Sequence, residues 1–199
     1  EPEEERGRGE EASHGPESRP FRSGARQGLS VFPGWSRIPL VTPTLDRARL
    51  FAAIRDGYVL DWDGIHGAGH WARVRENGLR LAESTGARAD VVELFAFLHD
   101  ARRRNEWVDD GHGTRGAELA CTLRGDAFDL DEAGMLLLLE ACSGHTDGKL
   151  TDEPTLGTCW DADRLDLPRC GIIPVPRRLS TLAARDPAVR EWARKRAVG

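Results

Sequence analysis

Apolar residues along this chain recur at helical spacing in a series of separate stretches. Within residues 45–56, Leu45, Ala48, Phe51, Ala52 and Ile54 recur at that spacing, and within 66–84 Trp71, Val74, Leu79 and Leu81 do the same. Residues 89–102 carry Val91, Leu94, Phe95 and Leu98, and residues 112–123 carry Ala117, Leu119 and Ala120. Residues 131–143 carry Met135, Leu136, Leu138 and Leu139, with Asp131 placed to cap the helix start. A short helix is expected from about Trp160, and residues 175–193 predict a last helical segment, with Pro187 suited to a first turn. No stretch alternates as a strand does and no repeat is visible. The pattern predicts an all-α fold, a compact helical bundle.

Upstream the pattern is different. Residues 1–30 are rich in Glu, Arg, Gly, Ser and Pro, which offer too little apolar surface to offset the entropy of ordering. They read as a disordered tail. Residues 31–44, with Pro33, Trp35, Pro39 and Pro43, read as an extended lead-in. The organisation expected is therefore a tail and lead-in over 1–44 and one helical domain over 45–199.

Composition narrows the partners. Hydrophobic residues make up 39% of the 199, charged residues 31%, and the formal net charge is −5, which argues against a general nucleic-acid binder. No apolar run is long enough for a transmembrane helix, and the acidic start lacks the apolar core of a secretory signal, so a cytoplasmic protein without membrane contact is expected. Cys121, Cys142, Cys159 and Cys170 form no C-x-x-C pair and read as free thiols in a reducing compartment. Nothing in the sequence sets an oligomeric state.

The chemistry lies in the histidines and aspartates. His66 and His70 are four apart, a spacing that places them on one face of a helix. His99 and Asp100 end the apolar run from Val91 to Leu98, and a His–Asp pair emerging from a buried helix calls for a compensating charge. A divalent cation would supply it; an N–H to carboxylate pair would do so without metal. Asp161, Asp163 and Asp166 follow within six residues beside Trp160 and Leu165, a run that by itself fits a solvated acidic turn. Imidazole and carboxylate together suit Mn, Co, Ni, Fe or Zn better than calcium. Such an ion lowers the pKa of its water and polarises a phosphoryl oxygen. Arg73 lies one turn after His70, and Arg102, Arg103 and Arg104 follow the His–Asp pair, where guanidinium groups could bind phosphate oxygens or simply form a solvated basic run.

Three pieces in this order, His70-x-x-Arg73-Val74, His99-Asp100 after an apolar helix, and Ala162-Asp163-Arg164-Leu165, make the chain resemble the HD-domain superfamily over residues 45–171. The resemblance implies a metal-dependent phosphohydrolase acting on a small phosphorylated substrate, nucleotide-like in class. It implies His70, His99, Asp100 and Asp163 as metal ligands, with His70 preferred to His66 and Asp161 left to orient water. It favours a single ion, because the paired histidines of binuclear phosphodiesterases are absent; His112 and His145 then become candidates for phosphate binding or proton transfer. Catalytic roles fall to Asp100, Arg73, Arg102, His112 and His145. The Gly-Tyr-Pro signature of cyclic-di-nucleotide phosphodiesterases and the Glu-Asp pair of guanosine tetraphosphate hydrolases are both missing. Two other readings remain open: an HD-type di-iron oxygenase, for which His112 and His145 could supply further ligands, and a non-catalytic ligand-binding domain.

Overall fold

A computed structural model describes residues 45–199. The tail and lead-in expected over residues 1–44 lie outside the described residues. Eight helices follow in order among the described residues: α1 (Arg47–Gly57), α2 (Ala68–Thr85), α3 (Ala89–Leu98), α4 (His112–Leu123), α5 (Glu132–Gly144), α6 (Pro154–Arg164), α7 (Leu182–Arg185) and α8 (Pro187–Val198).

Helix α3 is the axis of the bundle. Val91, Val92, Leu94, Phe95, Ala96, Phe97 and Leu98 are all buried, so the helix is covered except on the side of Asp90 and Glu93, which pair with arginines. Helices α2, α5 and α6 pack against it, and α4 pairs with α5. One close approach is at Gly78 of α2. A Cβ there would sit 2.4 Å from Val92 Cγ1 and 3.3 Å from Ala162 Cβ, so the missing side chain lets α2 lie against α3 and α6 together. A smaller apolar cluster, built from Leu81, Leu165, Leu179, Ala184 and Ala193, fixes α7 and α8 to the outer side of α2. Trp192 is held there between the guanidinium groups of Arg80 and Arg196, 4.3 and 4.5 Å from its ring.

Capping chemistry sets the boundaries. Asp46 caps α1 by accepting from the Arg49 N–H at 3.0 Å, and Asp131 caps α5 by accepting from the Gly134 N–H at 2.7 Å, as its position in the sequence leads one to expect. Three boundaries differ from the sequence pattern. Helix α3 stops at Leu98 instead of running to 102, because the Ala101 N–H turns back to the Leu98 carbonyl and the Arg103 N–H to the Asp100 carbonyl. Helix α6 starts at Pro154, six residues before Trp160, with Glu153 as cap. Its first turns, Thr155 to Cys159, are buried on all sides and so carry no apolar stripe. The stretch over 175–193 is broken into a 3-10 turn, Pro176–Arg178, and helices α7 and α8. The break lies at Asp186, whose carboxylate accepts from the Ala188 N–H at 2.7 Å.

Among the described residues no helix is long and apolar enough to cross a membrane.

Candidate metal centre

Five elements converge on one buried polar point inside this bundle. His70 comes from the first turn of α2, His99 and Asp100 from the end of α3, His112 and His145 from the start of α4 and the end of α5, and Asp163 from the last turn of α6. His70, His99, Asp100, His112 and His145 are all buried. Their arrangement is governed by the far side of each ring. The Nδ1–H of His99 is donated to the Phe95 carbonyl (3.1 Å), that of His112 to the Asp109 carbonyl (2.6 Å), and that of His145 to the Cys142 carbonyl (2.7 Å). The Nδ1–H of His70 is donated to the Asp166 carboxylate at 2.7 Å. An oxygen acceptor at Nδ1 places the ring proton there and leaves a lone pair on Nε2.

All four Nε2 atoms point inward. Those of His70 and His99 lie 3.1 Å apart, and those of His112 and His145 lie 2.9 Å apart. Asp100 stands between the two pairs. Its Oδ2 is 3.6 Å from the Nε2 of both His70 and His99, and its Oδ1 is 3.1 Å from His112 and 3.6 Å from His145. Asp163 Oδ1 closes the first group, 3.5 Å from His70 and 3.9 Å from His99. Two sets of donor atoms, His70–His99–Asp163 and His99–Asp100–His145, are each compact enough to hold a metal ion. Lone pairs this close repel unless a cation lies among them, so the donor set fits a bound divalent metal. At His99 the electrostatics agree. Burial pushes His99 down to about 3 in spite of Asp100 and Asp163, which keeps the ring neutral and free to ligate. Burial opposes ionisation of Asp163, but His99 and His70 hold its carboxyl below the usual range.

An outer layer orients these groups, and the sequence pattern missed its main member. Asp166 accepts from His70 and also from Arg73, Nε to Oδ1 at 2.7 Å and Nη2 to Oδ2 at 3.1 Å, with Arg169 nearby at 3.6 Å. Only its spacing, one turn beyond Asp163 on the same acidic run, pointed to it.

Several expectations are corrected. Arg73, expected beside a phosphate, has its guanidinium engaged by Asp166. Arg102 lies away from the cluster and caps the end of α1, donating to the carbonyls of Ala53 and Ile54 at 3.1 and 3.0 Å. The arginine at the cluster is Arg103, with Nη1 3.1 Å from His112 Nε2 and 3.4 Å from Asp100 Oδ1. His66 does not share a helix face with His70, because α2 begins only at Ala68; its Nδ1 bonds to Glu106 instead. Asp161 orients no water at the cluster. It is fully buried and accepts from the Ser180 N–H, the Thr181 N–H and the Thr181 hydroxyl at 2.8, 2.7 and 2.9 Å. His112 and His145, expected to bind phosphate or move a proton, both face Asp100.

The chain matches no model of a known protein family and no curated protein. Among solved structures it is similar to one described as a predicted HD superfamily hydrolase from an uncultured Thermotogales bacterium. The two are 23% identical with a TM-score of 0.57, over 76% of this chain and 86% of that one. The likeness shows that this chain has the HD-domain fold.

Proposed function

On the HD-domain fold, we propose that the cluster is the metal centre of a phosphoester hydrolase. The observation that carries the reading is the convergence of four inward-facing Nε2 lone pairs on Asp100, with Asp163 closing one side. His70, His99, Asp100 and Asp163 would hold one divalent transition metal. The expectation of a single ion is revised, since His112, His145 and the second oxygen of Asp100 offer a further position. A bound metal would supply an activated water and polarise the phosphoryl group.

The chain's own residues do the rest. Asp166 fixes the ring of His70 and is itself fixed by Arg73. Arg103, at the edge of the cluster, holds Asp100 and the Trp107 carbonyl and so positions the carboxylate that faces both histidine pairs. Water adds to phosphorus, the ester oxygen departs as an alcohol, and inorganic phosphate is released.

Protein purified without chelator, supplemented with Mn or Co and offered phosphoesters, tests this. Turnover that His99→Ala abolishes is the expected result; no turnover across a broad panel in any metal would overturn it. The same ligand set also favours a second reading, a di-iron oxygenase, because four histidines and two carboxylates suffice for two irons. Protein that carries redox-active iron with an optical absorption and cleaves no phosphoester would select that reading.

A further inference from the structure

Ile172, Ile173 and Val175 stand within four residues of one another and are 53, 63 and 47% exposed. Single exposed apolar side chains need no explanation, but a contiguous set does. The segment that carries them is shaped in advance. Gly171 turns the chain at a φ of 76°, and the Gly171 and Ile172 N–H groups donate back to the Pro168 and Leu167 carbonyls at 2.9 and 3.3 Å. Pro174 and Pro176 restrict the backbone further, and fully buried Leu179 anchors the far end. The result is a short apolar ridge between two grooves of about 240 and 190 Å³. Arginines border it on both sides: Arg164 and Arg178 line the first groove, and Arg190 and Arg194 line the second together with Glu191. Arg164 and Arg194 are paired with Asp161 and Glu191. Arg177, Arg178 and Arg190 have no carboxylate partner among the described residues. Charge is sorted along the sequence in the same sense. Residues 164–199 hold nine Lys or Arg and three Asp or Glu, a net +6 on a chain whose total is −5.

Such a face suits an anionic partner, and its chemistry separates the candidates. Single-stranded nucleic acid calls for aromatic platforms, and Trp192 of this region is already held between Arg80 and Arg196. A second copy docked about a two-fold axis would set arginines against arginines. A lipid surface uses both features at once, apolar side chains at the level of the headgroups and guanidinium groups against their phosphates, and firm membrane contact takes two such signals. We infer that this end of the fold docks on an anionic membrane, with Ile172, Ile173 and Val175 inserted and Arg177, Arg178 and Arg190 on the lipid phosphates. The inference is independent of the hydrolase reading. The expectation of no membrane contact rests on the lack of a spanning run, which a peripheral contact does not need. The 199-residue chain, sedimented with phosphatidylcholine vesicles with and without about one third phosphatidylserine, tests it. It should bind the anionic vesicles and not the neutral ones, and salt at about 0.5 M should release most of it. Arg177→Gln combined with Arg178→Gln should weaken binding about 25-fold, near fivefold for each charge. Ile172→Ser combined with Ile173→Ser leaves the charge unchanged and should still weaken it about tenfold. Neither pair should move the melting temperature, because all four side chains are exposed. Failure to bind the anionic vesicles would overturn the inference, as would binding that the serine pair leaves intact. A dimer in solution that the serine pair dissociates would give the ridge to a second copy instead, and tighter binding to polyglutamate than to the vesicles would give it to an acidic protein.

Discussion

Single residues here divide sharply by what they hold. Asp163 and Asp161 sit two apart on α6, yet one faces the histidine cluster and the other ties down Ser180 and Thr181. Asp161→Ala should leave metal content unchanged and lower stability by about 1–3 kcal/mol, the cost of leaving buried donors unpaired. Metal analysis and denaturant unfolding on the same protein check both halves. Asp166→Asn should do the reverse. It weakens the acceptor that aligns His70 and should reduce metal affinity about 10–100-fold, measured by competition with a chelator. Much of this division was legible from residue type and order, since His70, His99, Asp100 and Asp163 do meet. What could not be read was direction. Arg102 and Arg103 are neighbours of identical chemistry, and only the turn that follows α3 sends one to the end of α1 and the other to the cluster.

At the level of elements, the helices were largely readable because amphipathic stripes follow directly from burial on one side. The failures came where burial was complete or where a turn replaced a helix, in the opening of α6 and in the segment before α2. Two predictions belong here. Gly78→Ala should destabilise the bundle by about 1–3 kcal/mol, because the added methyl collides with Val92 and the rigid helices around it cannot yield; thermal or urea unfolding measures it. The turn between α3 and α4 depends on Asp109, which accepts from the Arg104 N–H at 2.6 Å and from Arg115 at 2.7 Å. Burial opposes its ionisation, but these bonds hold its carboxyl below the usual carboxylate range. A folded value below the unfolded one means that Asp109 stabilises above about pH 4 and that the contribution is lost as pH falls through the depressed value. Asp109→Asn should therefore lower the melting temperature at neutral pH, and the gap to the wild type should narrow in acid.

For the whole molecule, the notable property is that the groups with the greatest need of a counter-charge lie at the junction of α2, α3, α4, α5 and α6. A ligand that binds only the folded state raises its stability in proportion to the logarithm of its concentration over Kd. Removal of metal by a chelator should accordingly lower the melting temperature, and readdition of Mn or Co should restore it. The connectivity of the site gives this a further consequence. His70, His99 and Asp163 are far apart along the chain but share one point in space. An ion held by all three would act on the folded polypeptide as a branched cross-link, tying α2, α3 and α6 together for as long as the bonds last. Unfolding of the loaded protein should then wait on metal release, so that its rate falls as free metal rises, whereas refolding should scarcely respond.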